Sequence, residues 1–314
     1  MVPQPDRPAA GILTAAGRRA LDGLLTAWAA VSVTFLALRL AAGDPVASLL
    51  AQGLASTEQA DALRHQLGLD LPLAQQYLRF LTSLARGDLG RSLYTGQPVA
   101  QVIGEQLPYT AELAAAGLAV ALVLGLLLGL LATREDRQRK FPLALGIAGL
   151  ATALPVAFTG ILAILVAITA SAAPTLLRGI LLPALVLGFA SSGAIARLIQ
   201  AGLQETLNAP FILAARARGL PRGPRLLWHA LRPALPPVIS LIAVEAAFLF
   251  GGTVITESVF SRPGLGRLLV TSILQGDYPI AQGLVVLSAI AYSASHILAD
   301  VIALALDPRL RGSE

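Results

Sequence analysis

The chain has 314 residues, 55% of them hydrophobic and 13% charged, with a mean hydropathy of +0.72. That composition excludes an ordinary soluble domain and indicates a polytopic membrane protein. The formal net charge of +5 comes almost wholly from arginines clustered between apolar runs, which reads as topology signals and leaflet contacts ahead of nucleic-acid binding, and the lack of cysteine excludes disulfides and thiolate chemistry.

Runs of about 20 apolar residues, the length of a membrane-crossing helix, occur six times, at about 21–41, 109–132, 143–171, 179–199, 234–256 and 280–304. Arg18 and Arg19 precede the first run, which continues to about Ala41. It therefore exceeds the core of a cleaved signal and is read as an uncleaved membrane helix. Ala42 to Leu107 is the one large extracytoplasmic piece. Within it Ser56 and Gln59 fit a capping box, Ala60, Leu63 and Leu67 repeat at helical spacing, and Gly68 supplies the stop. A second amphipathic helix follows Pro72, with Leu73, Tyr77, Leu81 and Leu84 on one face, and ends near Gly87. Such helices cannot bury a core alone, so they form either a cap on the membrane domain or a docking surface. In the third run, Pro155 is expected to kink one long helix.

With six crossings both termini share one side. Arg7, Arg18 and Arg19 lie before the first span, and Arg134, Arg137, Arg139 and Lys140 lie after the second. A basic loop follows the fourth span, and Arg309 and Arg311 close the chain. All four segments fall on that same side, which the positive-inside rule makes cytoplasmic. The opposite connections hold Arg178, Arg262 and Arg267, with Glu257 and Asp277.

The basic loop, Asn208 to Pro233, reads NAPFILAARARGLPRGPRLLWHALRP. Asn208 can cap a helix start, Pro210 is tolerated in its first turn, and Ala214, Ala215 and Ala217 leave a thin surface that another backbone can approach. Gly219 supplies a left-handed stop, and Pro221, Gly223 and Pro224 force a turn before a second short helix. Arg216, Arg218, Arg222 and Arg225 flank this helix. The spacing of Ala214, Ala215 and Gly219 resembles the loop by which ABC importer permeases contact their ATPase.

Further strings extend the resemblance over residues 38 to 310. LRLAAGDPV from Leu38, LGLDLP from Leu67 and Gln76 to Ser92 with GDLGRS at Gly87 are similar to the N-terminal part of the dipeptide, oligopeptide and nickel transport permeases. GGTVITESVFSRPGLG from Gly251, GDYPIAQ from Gly276 and the DPRL that ends at Leu310 are similar to their C-terminal part. Three departures stand out: Leu213 where the general loop pattern has Glu, His296 where this family commonly has Asn, and a shortened connection from Ser171 to Arg178.

The resemblance implies an all-α, six-helix, type I ABC importer permease fold in a bacterial inner membrane. It divides the chain into residues 1–107, a first membrane helix plus the extracytoplasmic cap, and 108–314, the core with a coupling loop at about 201–232. It implies ATPase subunits as partners, contacted through Ala214, Ala215, Arg216, Arg218 and Gly219, together with a homologous second permease and an extracytoplasmic binding protein. The implied cargo is peptide, with nickel or a metal chelate as the alternative.

Intramembrane polar groups are the remaining candidates, since a charged side chain there costs about 3 kcal/mol on insertion scales and has to face a partner or a water-filled path. Glu112 and Asp300 lie near span ends and suit structural pairing. Glu245 is mid-span and suits the substrate pathway. His296, the one histidine within a span, reads as an interhelical hydrogen bonder and a further pathway candidate. The only lysine, Lys140, follows Arg139, so there is no phosphate-binding loop and ATP has to be held by a partner; no cofactor or metal site is expected. An intramembrane enzyme built on Ser191, Ser192 and His296 is disfavoured by the lack of HExxH and GxSxG motifs. A passive channel would not need a docking helix.

Overall fold

The computed structural model describes residues 8–41, 46, 47, 50, 53, 56–133, 142–169 and 179–306. The expected features of Arg7, Arg134 to Lys140, Ser171 to Arg178, Arg309 and Arg311 lie outside them. Among the described residues the chain is all-α, with one isolated β-bridge between Arg91 and Pro98. Helix α1 is Pro8–Ala41, α2 Thr57–Leu67, α3 Leu73–Ala85, α4 Val99–Ala132, α5 Pro142–Ala153, α6 Val156–Thr169 and α7 Leu181–Leu207. Then come α8 Pro210–Ala217, a six-residue π-helical turn Arg225–Ala230, α9 Leu231–Val259, α10 Leu265–Gln275 and α11 Tyr278–Leu306.

Five helical segments are long and apolar enough to cross a bilayer: Leu21–Leu40, Val99–Ala132, Leu181–Leu207, Arg222–Ala246 and Tyr278–Ser295. A sixth crossing exists if α5 and α6 count together, and these are bent by 109°. The expected kink at Pro155 is thus a break. Leu154 still donates to Leu150 O, but Pro155 has no N–H to continue the ladder, and its own carbonyl starts the next turn by accepting from Thr159.

The helices divide into two compact units that interleave along the sequence: residues 1–19, 110–262 and 294–314 in one, and 20–109 and 263–293 in the other. The 1–107 and 108–314 division read from the sequence follows chain order, whereas residues 263–293 group with the N-terminal part.

In the first unit α7 is the central strut, with buried residues along its length from Pro183 to Leu207. Its neighbours approach closely through glycine, as expected where lipid removes the hydrophobic drive between helices and packing contacts decide. A Cβ on Gly125 of α4 would stand 2.6 Å from Ile195 Cγ2, and one on Gly193 would stand 2.4 Å from the Ala148 carbonyl of α5. The C-terminal end of α9 and the turn after it are pinned to α4. Thr110 donates to the fully buried Glu257 at 2.7 Å, and Arg262 donates to Glu112 at 2.6 Å. Glu112 is therefore paired, as expected.

In the second unit the cap helices form as the sequence indicates. Ser56 and Gln59 make both halves of the capping box, and Gly68 closes α2 at φ +62°. The face of α3 that meets α1 is centred on Tyr77 and Phe80, whose ring centroids each lie 5.4 Å from that of Phe35. Leu73, expected on the packed face, is 44% exposed. Helix α10 was not expected: at 11 residues, with Arg267, Thr271 and Ser272 within it, it is too short and polar to register as a span.

Candidate functional site: a basic loop helix seated in the bundle core

Helix α8 is built from its own sequence at both ends. Pro210 occupies the first helical position, where its missing N–H costs nothing, and Ala209 before it is extended at φ −73° and ψ 147°. The cap expected from Asn208 is not made there. Asn208 instead closes α7, with Nδ2 donating to Gln204 O at 2.8 Å, because the two helices are separated by too few residues for it to serve the second. At the other end Gly219 donates to Arg216 O and Leu220 to Ala215 O, a Schellman closure that needs the φ of +78° found at Gly219.

One face of α8 belongs to the membrane unit. Ile212 and Ala215 are buried, and Ile212 joins an apolar cluster running through Ala121, Ile195, Ile199, Leu203, Leu207, Ala230, Ala234 and Val238. The other face is open: Ala214, Arg216, Ala217 and Arg218 are exposed, as are Phe211 and Leu213. Of the small residues expected to admit a partner's backbone, Ala214 and Ala217 face outward and Ala215 faces the bundle.

The return limb departs from expectation at Arg225. It does not flank the helix in solvent but is buried, and its Nη1 donates to Leu220 O at 2.8 Å, taking up a carbonyl left over by the turn. The sequence hides this role because Arg225 stands among exposed arginines. Trp228 is 76% exposed in the same turn. The loop is therefore a short helix rigidly seated by apolar contacts, a glycine closure and a buried guanidinium, with a basic and apolar outer surface.

Glu245 of α9 lies mid-span in the same unit, and its Oε2 is buried with no hydrogen-bond partner. Ser192 donates to Phe189 O of its own helix at 2.7 Å, a structural use that leaves it unlike a nucleophile. Arg197, which sequence reasoning passed over, donates to Thr152 Oγ1 at 2.9 Å beside the break at Pro155. Helix α11 carries His296 and Asp300, but their side chains lie outside the described residues. Among the described residues no three His, Asp or Glu side chains gather as a metal site.

Residues 121–312 match the family described as binding-protein-dependent transport system inner membrane component. A Brucella abortus protein provisionally named a peptide transport system permease is 34% identical over 292 residues, covering 89% of this chain and 93% of that one. The glutathione transport system permease protein GsiC of Pectobacterium atrosepticum is 32% identical over 299 residues, covering 94% and 97%. Among solved structures, the inward-facing MetNI methionine ABC transporter is similar in fold, with a TM-score of 0.57 at 18% identity over 66% of this chain and 97% of that one.

Proposed function

Since the chain belongs to the family of binding-protein-dependent transport system inner membrane components, we propose that it is the permease subunit of an ATP-driven importer of peptides. An extracytoplasmic binding protein delivers the cargo, a homologous second permease completes the pathway, and separate ATPase chains bind and hydrolyse ATP. Peptide cargo is supported by the names of the relatives from Brucella and Pectobacterium, and the second permease by the family resemblance. Placing both termini and the basic loop in the cytoplasm is supported by the positive segments ahead of the first apolar span and within Asn208 to Pro233.

The observation that carries the mechanism is the seating of α8. Its exposed Arg216, Arg218, Phe211 and Leu213 offer charge and apolar area to an ATPase groove, while Ile212 and Ala215 are fixed in the bundle. Closure of the ATPases on ATP would push α8 as a rigid element. Because the cluster around Ile212 holds residues of both α7 and α9, that push becomes a shift of two spans and a change of access. Gly219 aims the helix, and Arg225 prevents the turn from yielding. Glu245 lines the pathway, where its carboxylate meets a cationic group on the cargo.

The ligand that copurifies with the cognate binding protein tests the cargo. A peptide supports the proposal; nickel or a metal chelate would replace it.

A further inference from the structure

The second unit contains a cavity of about 330 Å3 whose wall carries Arg39, Arg79, Gln76, Gln282 and Asp88, with Phe80 beneath them. The Gln76 amide is oriented by its own loop: Nε2 donates to Leu69 O at 3.2 Å and to Leu71 O at 2.8 Å. Those two acceptors fix which amide atom is oxygen, and Oε1 is left buried without a hydrogen bond. Gln282 supplies the opposite case, a buried Nε2 that finds no acceptor. Buried polar groups are nearly always satisfied, so an orphaned acceptor and an orphaned donor lining one cavity point to an occupant that takes both bonds.

The charges around them are also placed. Gly68 leaves Arg79 Nη1 only 2.9 Å from where a Cβ would stand, so a larger residue at 68 would displace the guanidinium. Arg39 lies over the rings of Phe35 and Tyr278 at 5.4 and 5.8 Å. Asp88 is held by the Gly90 N–H at 2.9 Å. Two guanidinium groups select a carboxylate, which they can grip in bidentate fashion. Asp88 and Gln76 Oε1 call for a positively charged or N–H donor group. An inorganic anion would leave Gln76 Oε1 unmatched and would meet the Asp88 carboxylate, and a metal cation would meet two arginines.

We propose that this cavity binds a small zwitterion, a free amino acid or dipeptide, with its carboxylate on Arg39 and Arg79, its ammonium on Asp88 and Gln76, and a carbonyl on Gln282. The site is distinct from Glu245, and the use of a peptide as probe rests on the transport reading above. Titration calorimetry with dialanine and with dialanine amide, on the complete transport complex in nanodiscs without binding protein or nucleotide, tests it. Dialanine is expected to bind, and its amide at least tenfold more weakly. Arg79→Gln and Gln282→Leu are each expected to weaken dialanine at least tenfold, with Arg79→Lys recovering part of the loss. No binding of dialanine, or equal binding of the amide, or unchanged affinity in both variants, would overturn the assignment. ATP-dependent uptake by the same wild-type complex decides the transport reading separately, so failure of one does not imply failure of the other.

Discussion

Ser92 donates its hydroxyl hydrogen bond to Asp277 at 2.5 Å, joining positions 185 residues apart. Asp277 also accepts from the Leu93 N–H at 3.2 Å, and both side chains are buried. The GDLGRS and GDYPIAQ strings are thus two halves of one clasp within the second unit. Asp277→Ala leaves the hydroxyl and the amide N–H without their acceptor and is expected to cost about 3 kcal/mol. Ser92→Ala spares the Leu93 bond but also strips the acceptor from the Tyr94 and Thr95 N–H groups, which reach the hydroxyl at 3.3 and 3.1 Å, and should cost about as much. Thermal unfolding of the purified protein reads both losses, and equal melting temperatures for wild type and Asp277→Ala would show that the clasp does not hold the unit.

Gly219 sits at φ +78° with no atom within 4 Å of where a Cβ would stand, so any penalty on substitution is one of backbone strain and not of collision. Gly219→Val is expected to cost roughly 1 to 3 kcal/mol and to misaim α8, whereas Gly219→Asn, which tolerates the left-handed region, should cost less. Stimulation of ATP hydrolysis by the loaded binding protein should fall in the order Gly, Asn, Val while expression persists. Unchanged stimulation in the valine variant would show that this turn does not aim the coupling helix.

Topology is open to thiol labelling because the chain has no cysteine. Ala60 is fully buried and unsuited to a probe, but Glu58 two residues earlier is exposed, as is Gly223. Glu58→Cys should react with an impermeant maleimide in intact cells and Gly223→Cys only after permeabilisation. Reaction of both from outside would contradict the proposed orientation.

Much of this was legible before the structure, and what was not has a physical reason. The capping box at Ser56 and the stop at Gly68 depend on neighbours within a few residues, and they appear as read. So does the left-handed turn at Gly219. Burial of Arg225 and the inward aim of Ala215 depend on contacts with residues distant in sequence, where local pattern carries no signal. The 109° break at Pro155 was visible as a proline but not in magnitude, since an apolar run reads the same whether helix continues or reverses. The Ser92 to Asp277 clasp needs the fold: each string is recognisable singly, and nothing in either names the other.

Glu245 and His296 are both pathway candidates in the sequence, and they are expected to behave differently. Glu245→Leu removes a carboxylate whose Oε2 is buried and unsatisfied, and should change uptake rate or cargo preference severalfold. His296→Asn, which restores the residue common in the resembled family, should leave uptake nearly intact. Loss of uptake in the histidine variant with no change in the glutamate variant would reverse these roles.

Energy-coupled movement of peptide is the proposed activity, and transport into proteoliposomes measures it directly. The chain is reconstituted with its partner permease, its ATPases and the binding protein, and labelled dipeptide and labelled nickel are offered in parallel. Dipeptide should accumulate only when both ATP and the binding protein are present, and unlabelled peptide should compete. Equilibration of dipeptide across the membrane without ATP would identify a channel, and ATP-driven accumulation of nickel that peptide does not inhibit would contradict the assignment of cargo.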